Sequence, residues 1–111
     1  MLVRHPSLPE HEHHARYTRH YPHGCGPLLT IDCGDRASAF RFLKMCRLPI
    51  LTANLGDNRT LALHMASTIY RDIADKERRL HGITDGLVRL SIGLENPEDI
   101  AKDLITAWKR R

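Results

Sequence analysis

Gly86-Leu87-Val88-Arg89-Leu90-Ser91-Ile92-Gly93-Leu94-Glu95 alternates with a period of two, the pattern of a β-strand. Val88, Leu90, Ile92 and Leu94 fall on one face; Leu87, Arg89, Ser91 and Gly93 fall on the other. The first face is apolar and is expected to pack on helices. The second carries a single guanidinium. An arginine inside a strand is costly to bury unless it is paired, and its planar fork suits a carboxylate or a phosphate. The pattern leaves two readings of Arg89 open: an ordinary solvated or internally paired side chain, or a grip on an anion.

Working outward, the strand is followed by a clear helix start. Asn96 suits the N-cap, Pro97 the first helical position, and Glu98 and Asp99 the positive end of the helix dipole. Ile100, Ala101, Leu104, Ile105 and Trp108 form the expected buried stripe, and Lys109, Arg110 and Arg111 suit the negative end. Upstream, residues 74–81 have helix-forming composition and Gly82 is placed to end them. Residues 65–70 read as irregular and residues 60–64 as a strand. Residues 50–55 alternate, with Leu51, Ala53 and Leu55 opposite Ile50, Thr52 and Asn54, before Gly56-Asp57-Asn58 turns the chain. Before Pro49 a helix is expected over 36–47. Asp35 caps it, and Ala39, Phe42, Leu43 and Cys46 form its core stripe, widened by Phe40. Residues 28–33 alternate as a strand. The stretch 22–27, with two glycines and two prolines, is a loop. Residues 10–21 can form a nearly all-polar helix, and the first few residues are extended until Pro6 and Pro9.

The resulting order, β–α–β–α–β–(β)–α–β–α, predicts an α+β fold: a two-layer sandwich with a small, mainly antiparallel sheet and helices on one face. The other face would carry Thr52, Asn54, Arg89 and Ser91 together with Leu28, Ile50 and Leu87. Uncovered within this chain, it would meet a missing partner or a second copy, as in a homodimer.

The chain has 111 residues, 41% hydrophobic and 27% charged, with a formal net charge of +4. This is a single domain of ordinary composition. Its basic residues are interleaved with acids and it has few aromatics, which argues against nucleic acid. No apolar run suits a membrane span and no signal peptide is recognisable, so a cytoplasmic location is expected. Cys25, Cys33 and Cys46 lack a CxxC spacing, as for reduced thiols. Cys46, on a helix stripe, reads as a small core hydrophobe. His11, His13, His14 and His20 contain no i, i+4 pair, so they form a solvated or covered face rather than convergent metal ligands.

Several blocks together resemble the C-terminal domain of the cysteine/methionine-metabolism (transsulfuration) family of pyridoxal-phosphate-dependent enzymes. They are Val3-Arg4-His5-Pro6-Ser7-Leu8-Pro9 with His11 and His14; Gly26-Pro27-Leu28-Leu29-Thr30-Ile31; Asn54-Leu55-Gly56-Asp57 with Thr60-Leu61 and His64-Met65-Ala66-Ser67-Thr68; and the stretch 82–95. The resemblance runs nearly end to end. It implies residues 1–111 as the small C-terminal domain of a fold-type I enzyme, with the catalytic N-terminal domain absent.

By the same resemblance, Arg89 holds the α-carboxylate of the amino-acid substrate, and Asn54 contacts the substrate–cofactor end of the site. Asparagine at that position is more familiar in homoserine-ester sulfhydrylases. The implied parent is therefore an O-acetylhomoserine sulfhydrylase-like enzyme, with methionine γ-lyase or cystathionine γ-synthase/lyase as alternatives. Met65 stands where the family has proline and Tyr70 where histidine is common, which blurs the subfamily. The Schiff-base lysine and phosphate cup belong to the N-terminal domain of the family. Lys44, Lys76, Lys102 and Lys109 sit on charged helix surfaces, so pyridoxal phosphate is expected in the parent, with no cofactor and no catalysis in this chain alone. The rival reading from another class is a stand-alone interaction module.

Overall fold

The structure, a computed structural model, describes residues 2–24 and 26–111; Cys25, one of the three thiols and part of the 22–27 loop, lies outside them. The elements are β1 (Leu2–Arg4), α1 (His14–His20), β2 (Leu28–Asp32), α2 (Arg36–Met45), β3 (Ile50–Leu51), β4 (Leu61–His64), α3 (Asp75–Leu80), β5 (Leu87–Ser91) and α4 (Pro97–Arg110). The expected order of elements holds, and the fold is α+β. The five strands form one sheet in the order β1-β2-β5-β4-β3. All neighbours are antiparallel except β3 and β4. No helix among the described residues is long and apolar enough to cross a membrane.

β5 is the middle strand, and its alternation decides both faces. Val88 and Leu90 join Ile31, Ala62, Ala39, Phe42, Leu43 and Ala107 in the main core. Fully buried side chains such as Leu90 and Phe42 are each worth about 1.5–3 kcal/mol of transfer free energy. Phe42 of α2 meets Trp108 of α4 edge-on, with ring centroids 6.1 Å apart, a favoured aromatic geometry. The caps act as read from sequence: Asp35 accepts from Ser38 N and Asn96 from Glu98 N. α2 stops at Met45, and the backbone donors that leave it, Arg47 N and Leu48 N, both bind Asp103 Oδ2 of α4 at 2.9 Å.

Several expectations need correction. The early helix begins at His14, not residue 10. Successive turns occupy residues 5–14 (Leu8 N to His5 O, His11 N to Leu8 O, His14 N to His11 O), and the His11 ring accepts from His13 N. Phe40, Ala101 and Ile105 are exposed rather than part of the core, and on α4 the fully buried position is Ala107. The central strand is shorter than 86–95. Leu94, beyond its end, is 84% exposed, because its N–H is drawn to Asn58 O. The 50–55 strand retains only Ile50–Leu51. Thr52 N still reaches Ala62 O, but the next two carbonyls turn away to Arg89.

The second sheet face is not bare. Leu87 is only 5% exposed and packs with Leu63, Met65, Ala66 and Ile83, with Tyr70 against them. The turns after β4 fold back over that end of the face. Met65 and Tyr70, the two departures from the family pattern, are packing residues of this patch. Leu28 and Ile50 do remain exposed.

Candidate functional site

Arg89 leaves the middle of β5 on this second face and is half-buried. Its Nη2 donates to Ala53 O and to Asn54 O, each at 3.1 Å. Its Nε is buried with no hydrogen-bond partner among the described residues. Burial pulls the guanidinium pKa down from its ordinary value, and no anion among the described residues offsets that pull.

Among the described residues the other arginines are either exposed or paired with an acid. Arg59 is paired with Asp57, Arg71 with Asp72, Arg78 with Asp75 and Asp85, and Arg79 with Asp85. Among the described residues Arg89 has no carboxylate in ion-pair reach. A desolvated cation held only by neutral carbonyls gains most from an added anion. Ser91, two residues on and on the same face, is 2% exposed, and its Oγ also lacks a partner among the described residues.

The structure therefore brings Asn54 and Arg89 together, through the Asn54 backbone; the Asn54 side chain is exposed. Ala53 enters the same contact through its carbonyl. Side-chain patterning carries no signal for a backbone acceptor.

A second set of residues ties this region to the end of β5. Thr60 N and Oγ1 donate to Glu95 Oε1 and Oε2 at 2.6 and 2.8 Å, and Gly93 N donates to Thr60 Oγ1 at 2.9 Å. Thr60 is fully buried. Burial opposes the ionised form of Glu95, but the hydrogen bonds from Thr60 and from its own backbone N–H together outweigh it, and its pKa is lowered. The partners lie 35 residues apart in sequence, so no local pattern could pair them. Asp57 accepts from Arg59 N, Nε and Nη2, which holds its carboxyl down at about 2. At the other end of β4, the His64 ring bonds Ser67 Oγ at 2.7 Å and Asp85 O at 2.8 Å, joining β4 to the turn before β5.

Other candidate chemistry is not assembled. Burial pushes the Cys46 thiol up to about 12 and raises that of Cys33, opposite to an activated nucleophile. The histidines form no cluster that could hold a metal among the described residues. Lys44, Lys76, Lys102 and Lys109 are all exposed. None has the desolvated setting of a Schiff-base lysine, so these residues do not fit a covalently held pyridoxal phosphate.

Comparison with known proteins places this geometry. The family profile described as Cys/Met metabolism PLP-dependent enzyme matches residues 1–109. The chain is 39% identical over 103 residues to O-acetyl-L-homoserine sulfhydrylase 1 of Thermus thermophilus, covering 92% of this chain and 24% of that protein. It is 53% identical over 62 residues to L-methionine gamma-lyase of Fusobacterium nucleatum, covering 56% of this chain and 15% of that one. A Campylobacter jejuni structure assigned as an O-acetylhomoserine (thiol)-lyase superposes with a TM-score of 0.90 at 34% identity, over 96% of this chain and 26% of that one. The chain thus spans about a quarter of the length of the relatives it matches over most of its residues. On the near end-to-end match of sequence and fold, the chain belongs to the Cys/Met-metabolism family of pyridoxal-phosphate-dependent enzymes.

Proposed function

We propose that residues 1–111 form the small C-terminal domain of a pyridoxal-phosphate-dependent sulfur amino-acid enzyme and supply the carboxylate-binding part of its substrate site. Arg89 takes the α-carboxylate of the amino acid, and Asn54 borders the same place. The observation that carries this reading is the unbalanced charge of Arg89: half-buried, held by two neutral carbonyls, with a buried Nε lacking a partner. A rigid central strand presents a pre-oriented donor group, which lowers the ordering cost of binding. The parent reaction is that of an O-acetylhomoserine sulfhydrylase-like enzyme, supported by the Thermus and Campylobacter proteins and by Asn54. A methionine γ-lyase parent is the second reading, favoured by the higher identity to the Fusobacterium protein over the shorter stretch. The cofactor-holding domain lies outside this chain, and the isolated chain binds no cofactor covalently and catalyses no turnover.

The test is an exchange. This chain replaces the matching segment of the Thermus relative, and the fused enzyme is assayed with O-acetylhomoserine and with methionine. Sulfhydrylation that is lost in Arg89→Leu and not rescued by Arg89→Lys supports the assignment, because lysine lacks the planar fork. Equal kinetics with and without Arg89 would discard it. A borohydride-trappable, stoichiometric adduct of pyridoxal phosphate with the isolated chain, accompanied by turnover, would overturn the fragment reading.

A further inference from the structure

The segment 52–60 that touches Arg89 has little burial to hold it. Residues 53–56, 58 and 59 are exposed, and Leu55 turns 56% of its surface to solvent. Its position must come from hydrogen bonds. At its foot are Ile50 N to Thr60 O and Thr52 N to Ala62 O, the ordinary ladder to β4. Residues 58–60 are in addition drawn onto the extension of β5 by Leu94 N to Asn58 O at 2.7 Å and by the Glu95–Thr60–Gly93 cluster, so that Thr60 joins the ladder through its carbonyl and the cluster through its N–H and hydroxyl.

We propose that Glu95 is a positioning residue for Arg89, acting through Thr60 on the segment whose Ala53 and Asn54 carbonyls hold the guanidinium. The proposal rests on Arg89 being the anion grip, but its test reads Arg89 itself and needs no substrate.

The chemistry of the cluster supports a specific role for a carboxylate. Thr60 presents two donors, N–H and O–H, to one group, while its hydroxyl oxygen accepts from Gly93 N. An ionised carboxylate is an acceptor at both oxygens and satisfies both donors. Losing it leaves two buried donors unmet, a large penalty relative to the bond itself. The contact is also sterically closed. A Cβ on Gly93 would lie 2.4 Å from Asn58 O and from Arg59 C, so backbone meets backbone only because residue 93 is glycine. With residues 58–60 loosened from the extension of β5, the 53–54 carbonyls lose their fixed place and Nη2 loses both acceptors. The buried Nε is already without one, so the guanidinium would have no remaining orienting bond.

The test uses the 111-residue chain labelled with nitrogen-15, following the Arg89 Nε–H resonance and its hydrogen exchange. In Glu95→Ala the resonance should move and exchange roughly tenfold faster, as when a local opening loses one or two hydrogen bonds. The Val88 and Leu90 amides should stay protected. Glu95→Gln should lie between, because its carbonyl can still accept from Thr60 N while its amide turns to the hydroxyl oxygen. An unchanged Arg89 Nε–H in folded Glu95→Ala would overturn the proposal. So would a change spread equally over β2 and β5, which marks a merely structural role. If Glu95→Ala does not fold, Thr60→Val, which keeps the shape and removes only the hydroxyl, is read by the same criteria. Loss of Arg89 dependence in the fused enzyme, with the Glu95 effect intact, would overturn the proposed function alone.

Discussion

The two faces of β5 are built on different terms. Toward α2 and α4, Val88 and Leu90 meet only hydrocarbon and are fully buried. On the other face, Arg89 donates to the Ala53 and Asn54 carbonyls, Ser91 is buried, and both carry polar atoms without partners among the described residues. One strand therefore serves two purposes: Val88 and Leu90 pack on the helix side, while on the other side Leu87 packs at one end and Arg89 and Ser91 carry unmet polar atoms. An unmet buried polar atom is costly in a structure that needs only to be stable. Beside Arg89, the one arginine among the described residues that is neither exposed nor paired with an acid, such atoms support the proposed anion site; the third, Arg78 Nη1, belongs to an arginine already paired with Asp75 and Asp85.

The largest effect should come from Leu87→Asp. On an open face this change would be mild. In the patch with Leu63, Met65, Ala66 and Ile83 it buries an unpaired carboxylate, and the expected loss is about 4 kcal/mol or more. Urea unfolding of the chain decides it; a variant as stable as the parent would mean that the second face is open after all. Next, Leu90→Ala on the helix face should cost about 2–5 kcal/mol, the range for a buried leucine that leaves a cavity. The same unfolding measurement reads it.

Arg89→Leu sharpens the contrast between the faces. Its effect on the stability of the chain should stay within about 1 kcal/mol, since a costly desolvated cation is removed along with its two carbonyl bonds. In the fused enzyme the same change should weaken recognition of the amino-acid substrate by about 2–5 kcal/mol, the size seen when a buried charge loses its partner. Comparable losses in both measurements would make Arg89 a structural residue.

The smallest effect is electrostatic and confined to the covering segment. Asp57 is held at about 2, below its ordinary 3.8, by Arg59, and Glu95 is lowered as well. A carboxyl whose folded pKa is depressed contributes above its unfolded value and loses that contribution as pH falls through the folded one. Amides of residues 57–60 should therefore shift and lose protection as pH falls from the ordinary carboxylate range toward about 2, ahead of Val88 and Leu90. Simultaneous loss at both places would show that the segment is not separately held.

Periodicity was enough for the central strand, the α2 and α4 helices and their caps, because those signals are local: alternating side chains, an Asp or Asn one turn before free N–H groups, a proline at a first turn. It failed where a distant group competed for the backbone. The 50–55 alternation ends at Leu51 because Arg89, more than 30 residues away, takes the next carbonyls. Phe40 and Ile105 sit near the right side of their helices by count, yet both are exposed, while Ala39 and Ala107 are fully buried.

Local pattern and motif were sufficient for the order of the elements, the α+β class and the family, and they marked Arg89 and Asn54 by residue type. The tertiary structure alone decided that Leu87 is core and that Asn54 meets Arg89 through its carbonyl. It also decided that Thr60 and Glu95, 35 residues apart, close the covering segment onto β5. The reason is physical. Side-chain period records which face a residue takes, whereas backbone acceptors and long-range carboxylate bonds have no period and exist only once the chain has folded over itself.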